Sequence, residues 1–180
     1  MKKIILFLAL ISSIYADAKL YTGVNVGYFN ENFGGSLDAK NSTMQTSLKI
    51  GYGEQKAYAI EASIDWVKND SKIFSNNDGD KYALNIDLVK AFDMHKYINP
   101  FFKVGIGGGR IKIDRQLQNK VNFGSFNLGA GIFIPLNDTF DIEIGYSYKY
   151  LTYEKIDRAI SSISYESHVN VIYSGFNIRF

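Results

Sequence analysis

The most constraining feature of this chain is its last stretch, Val169-Asn170-Val171-Ile172-Tyr173-Ser174-Gly175-Phe176-Asn177-Ile178-Arg179-Phe180. It alternates apolar with polar residues, holds no proline and closes on an aromatic. Successive side chains of a strand point to opposite faces, so alternation with period two marks a strand with one buried face. Left unpaired at a sheet edge in water, a strand this apolar would template aggregation. Pairing the last strand with the first removes the edge altogether. The ending therefore asks for a closed barrel.

Seven earlier segments alternate in the same way. The first strand is expected over about Leu20 to Phe29, with Leu20, Thr22, Val24, Val26 and Tyr28 on one face. The second, Thr43 to Tyr52, sets Met44, Leu48 and Ile50 against Gln45, Ser47 and Lys49. The third, Lys56 to Val67, sets Ile60, Ile64 and Trp66 against Glu61, Ser63 and Asp65; the fourth, Lys81 to Phe92, sets Leu84 and Ile86 against Asn85 and Asp87. The fifth opens at Pro100, where a missing N–H is harmless. The sixth spans Val121 to Ile134, and the seventh, Thr139 to Tyr150, opposes Phe140, Ile142, Ile144 and Tyr146 to Asp141, Glu143, Gly145 and Ser147. Asn30 to Asn41, Lys68 to Asp80, Lys112 to Lys120 and Leu151 to Ser167 read as long polar loops. Gly53-Glu54-Gln55, Asp93 to Asn99 and Pro135-Leu136-Asn137-Asp138 read as short turns. The expected fold is all-β, an eight-stranded antiparallel up-and-down transmembrane barrel with long loops at one end and short turns at the other.

Met1-Lys2-Lys3, the apolar run Ile4 to Ile14 and the small residues Ala16-Asp17-Ala18 make a secretory leader. The run is too short to cross a bilayer as a helix, which takes about 20 residues. Cleavage is expected after Ala16 or Ala18, giving a signal peptide over 1–18 and one barrel domain over 19–180. Later stretches offer no transmembrane helix. A net charge of +2 does not point to nucleic acid, and the lack of cysteine excludes disulfides and thiolate metal sites.

A soluble barrel also alternates, so the polarity of the faces must decide. Aromatics gather near strand ends (Tyr28, Tyr52, Tyr58, Trp66, Tyr82, Phe92, Phe102, Phe140, Tyr148, Tyr150), as two interfacial girdles require. The polar face also carries many glycines, among them Gly23, Gly27, Gly51, Gly105, Gly107 and Gly145. Glycine weakens a solvated strand, but it makes room in a narrow lumen. The apolar face is expected to meet lipid.

Three segments carry a resemblance. The ending Gly175-x-x-Ile178-x-Phe180 resembles the C-terminal assembly signal of Gram-negative outer-membrane barrels. Asn99 to Gly109 resembles a Pro-aromatic strand with alternating glycines. Phe126 to Tyr148 resembles a Gly-Ala-Gly strand, a short Asn/Asp turn and an acidic strand ending Tyr-x-Tyr. Together they resemble the small eight-stranded outer-membrane β-barrel superfamily, which includes the OmpA transmembrane domain and the opacity proteins. The resemblance implies a Gram-negative outer-membrane location reached by export. It also implies barrel-assembly machinery and periplasmic chaperones as partners in biogenesis, and outer-membrane lipids and lipopolysaccharide as surroundings. The long loops are then the surface for an extracellular ligand, which the sequence does not identify. Full OmpA carries a peptidoglycan-binding domain after its barrel; that role is not implied here.

The polar face holds Lys49, Glu61, Asp65, Asp87, Lys103, Asp141, Glu143 and Lys149. Eight strands enclose only enough space for side chains, and buried charges need partners, so these eight are expected to form a closed ionic network. The alternative is a narrow porin-like pore. A lipid A-modifying enzyme is less favoured. His95 falls in a short turn, and His168 neighbours Ser167, whose side chain a strand turns to the opposite face. Asn76-Asn77-Asp78-Gly79-Asp80 reads as a loop turn, because the downstream glutamate of a calcium loop is lacking. No cofactor or metal is expected. Counting back from Phe180, Val169, Val171 and Tyr173 fall out of phase with Phe176 and Ile178. A β-bulge near Ser174-Gly175 is expected to return both apolar sets to one face.

Overall fold

Alternation carries most strands further than the sequence pattern marked, while the third and fourth keep within it. A computed structural model describes residues 18–34, 39–54, 56–69, 73–74, 78–94, 97–113, 119–154, 156–158, 161–163 and 165–180. The leader, His95, Asn76 and Asn77 lie outside them. The strands are β1 (Lys19–Phe33), β2 (Lys40–Gly53), β3 (Tyr58–Val67), β4 (Lys81–Ala91), β5 (Asn99–Lys112), β6 (Lys120–Pro135), β7 (Phe140–Tyr153), β8 (Ile156–Arg158), β9 (Ser161–Ile163) and β10 (Glu166–Arg179). Eight close a barrel in the order β1-β10-β7-β6-β5-β4-β3-β2, every pair antiparallel. The remaining two, β8 and β9, pair as a hairpin between β7 and β10. Much of the expected loops at 30–41 and 151–167 is therefore strand. Asparagine and serine there suggest loop, but the inward side chains Phe29, Phe33, Leu151 and Tyr153 are buried.

The short turns close by local chemistry. Gly53 has φ 153°, and a Cβ there would meet the Ala59 Cα at 2.3 Å. In the β6–β7 turn, Asn137 Oδ1 accepts the N–H groups of Thr139 (2.9 Å) and Phe140 (2.8 Å), a side-chain mimic of a backbone turn. The seam is made by β1 and β10, in register from Tyr21 opposite Arg179 to Phe33 opposite Ser167, with Phe180 N–H donating to the Leu20 carbonyl at 2.9 Å.

Throughout the barrel, odd-numbered residues face inward and even-numbered residues outward. The outside is apolar: Val24, Leu48, Ile64, Leu84, Ile86 and Ile106 are all exposed there. Tyr52, Tyr58, Phe92 and Phe102 ring the short-turn end, while Tyr28, Trp66, Tyr82 and Tyr146 ring the long-loop end. An apolar wall between two aromatic belts is the surface a bilayer requires.

The expected bulge is absent. Residues of β10 pair one-to-one with β1 and β7 across Ser174 and Gly175. Val169 (0% exposed) and Val171 (1%) point inward, whereas Ile172 (66%) points out. The reason lies in the interior, which is apolar near the long loops. There Val169 and Val171 join Phe29, Phe33, Phe74, Phe123, Leu151 and Tyr153 in one buried cluster. On the outside at that level His168 and Asn170 meet tyrosines instead of hydrocarbon. Tyr146 Oη donates to Asn170 Oδ1, and Tyr148 Oη lies 2.6 Å from His168 Nδ1.

Candidate functional site

The interior is layered along the barrel axis. At the short-turn end Tyr21, Ala59, Val89, Ala91, Phe101 and Phe133 form an apolar floor, with Phe101 and Phe133 rings 4.4 Å apart. Arg179 crosses this layer, its guanidinium 4.5 Å from the Tyr21 ring centre and its Nε 2.8 Å from Asp141 Oδ2.

Above the floor, Lys49 on β2, Glu61 on β3, Lys103 on β5 and Glu143 on β7 form a ring of alternating charge. Lys103 Nζ lies 2.6 Å from Glu61 Oε2 and 2.8 Å from Glu143 Oε1. Lys49 Nζ lies 3.3 Å from Glu61 Oε1 and also pairs with Glu143. Two hydroxyls complete the carboxylates' shells: Tyr21 donates to Glu61 at 2.7 Å and Tyr173 to Glu143 at 2.8 Å. The inward strand glycines make the crowding possible. A Cβ on Gly145 would fall 2.6 Å from the Tyr173 ring, and one on Gly51 2.3 Å from that of Tyr21.

The next layer centres on Asp65. Its carboxylate accepts from Ser47 (2.7 Å), Asn85 (3.0 Å) and Lys149 (2.5 Å). Asp87 takes an amide N–H from Asn127 at 3.4 Å and makes no ion pair among the described residues. Asp141 takes Asn177 (2.6 Å) as well as Arg179. A cavity of about 60 Å³ separates this layer from the charge ring. It is lined by Asn25, Gln45 and Asn127, whose amide oxygens have no protein partner, and it has room and polarity for a few waters.

Nearest the long loops lies a site that sequence reasoning missed. Lys81 pairs with Glu31 at 2.5 Å, Tyr153 Oη donates to Glu31 at 2.5 Å and accepts from Lys81 at 2.8 Å, and Ser167 donates to Glu31 at 2.6 Å. The Lys81 ammonium sits 5.4 to 5.8 Å from the rings of Phe29, Phe33, Phe123 and Tyr153. Phe74 caps the cluster from the 68–80 connection, 5.1 Å from Tyr153 and 5.5 Å from Tyr165. The Asp78 carboxylate holds Phe74 in place by accepting the N–H groups of Ile73 (2.6 Å) and Phe74 (2.9 Å).

In the terminal motif, Gly175 faces inward, where a Cβ would stand 1.8 Å from Asn25 Oδ1. Ile178 and Phe180 face outward with Phe176, whose ring stacks on Phe140 at 5.4 Å. Ser167 and His168 face opposite sides of the wall, so they form no dyad. Among the described residues no cluster of His, Cys, Asp or Glu has the geometry to hold a metal ion.

A comparison with curated proteins gives no match. Solved structures do match. Neisserial surface protein A superposes with a TM-score of 0.73 at 13% identity, covering 91% of this chain and 99% of that one. Ail, the attachment invasion locus protein of Yersinia pestis, gives 0.54 at 18% identity, covering 89% and 98%. OprG of Pseudomonas aeruginosa gives 0.51 at 12%, covering 92% and 97%. At these identities the likeness is one of fold. The sequence model of the outer membrane protein beta-barrel domain matches residues 4–180, and with the closed eight-stranded wall it establishes that this chain belongs to that family of outer-membrane β-barrels.

Proposed function

We propose that this chain, exported through its leader, is a closed and non-catalytic barrel that turns its long loops outward for a structural or adhesin-like surface role. The observation that carries the reading is the filled interior. The Lys49–Glu61–Lys103–Glu143 ring lies between an aromatic floor and the cluster capped by Phe74. An ion crossing this interior would have to part buried ion pairs where screening is weak, at a cost of several kcal/mol per charge. The small central cavity gives water a place without giving an ion a path. A non-catalytic role is supported by His168, held on the outer wall by Tyr148 while Ser167 turns inward to Glu31. In this reading Gly175, Ile178 and Phe180 are the assembly signal, and lipids and lipopolysaccharide surround the wall. Single-channel recording of the refolded barrel in planar bilayers tests the closed lumen. The expected trace has no steady conductance, and a steady ohmic current would refute the closed interior.

A further inference from the structure

Two features of the outer wall are not used by the barrel itself, and they lie side by side on β5 and β6. Toward the long loops the outward residues run Ile106, Gly108, Arg110, Lys112 on β5, opposite Phe126, Gly124, Asn122, Lys120 on β6. Lys112 therefore faces Lys120 directly, with Arg110 one step nearer the bilayer. Like charges opposite each other on one face of an antiparallel pair are destabilising. None of the three cations is ion-paired among the described residues. They border a surface concavity of about 960 Å³, which also takes in Tyr82 and Asp80. The Asp80 carboxylate is occupied, accepting the Trp66 indole N–H at 2.9 Å. Glu154 is likewise held by the backbone and side-chain N–H groups of Asn122.

Directly below the cations, Gly108 faces Gly124. Both point outward, unlike the other strand glycines described. A Cβ on Gly124 would meet nothing within 4 Å, and one on Gly108 only the Phe123 carbonyl at 3.4 Å. Glycine weakens a strand, yet among the described residues nothing fills the space the pair leaves. The result is a notch in the apolar wall, with Ile106 and Phe126 beneath it and Leu84 and Thr152 beside it.

We infer that this wall binds a phosphorylated glycolipid of the outer leaflet, its phosphates on Arg110, Lys112 and Lys120 and one acyl chain lying over Gly108 and Gly124. The level is right: Arg110 pairs across the sheet with Tyr82, and Tyr82 with Trp66, so the cations stand at and just beyond the aromatic belt, where headgroups lie. The charge is right as well. Three cations on adjacent strands match a disaccharide headgroup with a phosphate on each sugar better than the single phosphate of a glycerolipid, and phosphate oxygens accept the strongest of their hydrogen bonds. The inference rests on the reading that the long loops face outward.

The test uses the full barrel refolded in phosphatidylcholine nanodiscs carrying bisphosphorylated lipid A. Native mass spectrometry reads the lipid that stays bound on release, and the sole tryptophan, Trp66 at the edge of the site, gives an independent fluorescence readout. The wild type should retain lipid A in preference to phosphatidylcholine and to dephosphorylated lipid A. Arg110→Gln/Lys112→Gln/Lys120→Gln should lower retention on the order of a hundredfold, since each cation near an anionic headgroup contributes roughly fivefold. Gly124→Leu, whose Cβ enters open space, should lower it about tenfold by filling the notch. Circular dichroism confirms that each variant is inserted. Retention left unchanged by either variant, equal retention of phosphatidylcholine, or full competition by inorganic phosphate overturns the site. A closed barrel that releases lipid A refutes this inference alone, and a conducting barrel that holds it refutes only the closed lumen.

Discussion

A methyl group added at Gly105 would stand 2.1 Å from Asp87 Oδ1 and 2.3 Å from the Ile86 carbonyl, whereas at Gly124 it would touch nothing. Gly105→Ala should therefore destabilise the barrel by about 1–3 kcal/mol through overpacking. Gly124→Ala should be neutral or stabilising by about 0.5 kcal/mol, because only strand propensity changes. Urea midpoints in detergent micelles separate the two. Side-chain direction was legible from parity alone, and it places Lys49, Glu61, Asp65, Asp87, Lys103, Asp141, Glu143 and Lys149 on the inner face. Parity also holds the residues that were missed. Glu31 lies in an asparagine-rich stretch that reads as loop, Lys81 sits at a strand's first position, and Arg179 hides within the terminal motif. All three are odd-numbered and buried.

The terminal strand shows where a simple two-face rule stops. Its parity conflict arises from the assumption that the lumen is polar along its whole length. In fact the interior turns apolar around Phe74, while the exterior turns polar at the tyrosine belt, so a regular β10 satisfies both. Because the chain has no cysteine, single substitutions give unambiguous probes. A spin label on Ile172→Cys should report oxygen collision rates typical of the lipid phase. One on Val171→Cys should be immobilised and shielded. Lipid-phase contact at both positions would restore the bulge.

At the scale of the whole molecule, Glu143 is the knot of the interior, joining Lys49 on β2, Lys103 on β5, and Tyr173 and Asn177 on β10 to its own β7. Glu143→Gln keeps the shape but leaves two lysines facing one carboxylate. An uncompensated buried charge of this kind costs about 3–5 kcal/mol. Unfolding of the variant in micelles should show that loss, and adding Lys49→Met should return part of it. Barrel closure, strand order and the apolar exterior were legible from periodicity and loop lengths. The vertical layering was not, because it depends on which residues of distant strands share a level, and alternation along one strand carries no such information.

The seam has a further consequence. Leu20 and Phe180 are bonded neighbours at the short-turn end, and the wall there is as continuous as anywhere else. The barrel is thus indifferent to which of its gaps is covalent. A circular permutant, with a short turn joining 180 to 19 and new ends opened in the 113–119 connection, would keep every ladder while moving Gly175, Ile178 and Phe180 to the middle of the chain. Their part as wall would then be separated from the terminal-signal role proposed for them.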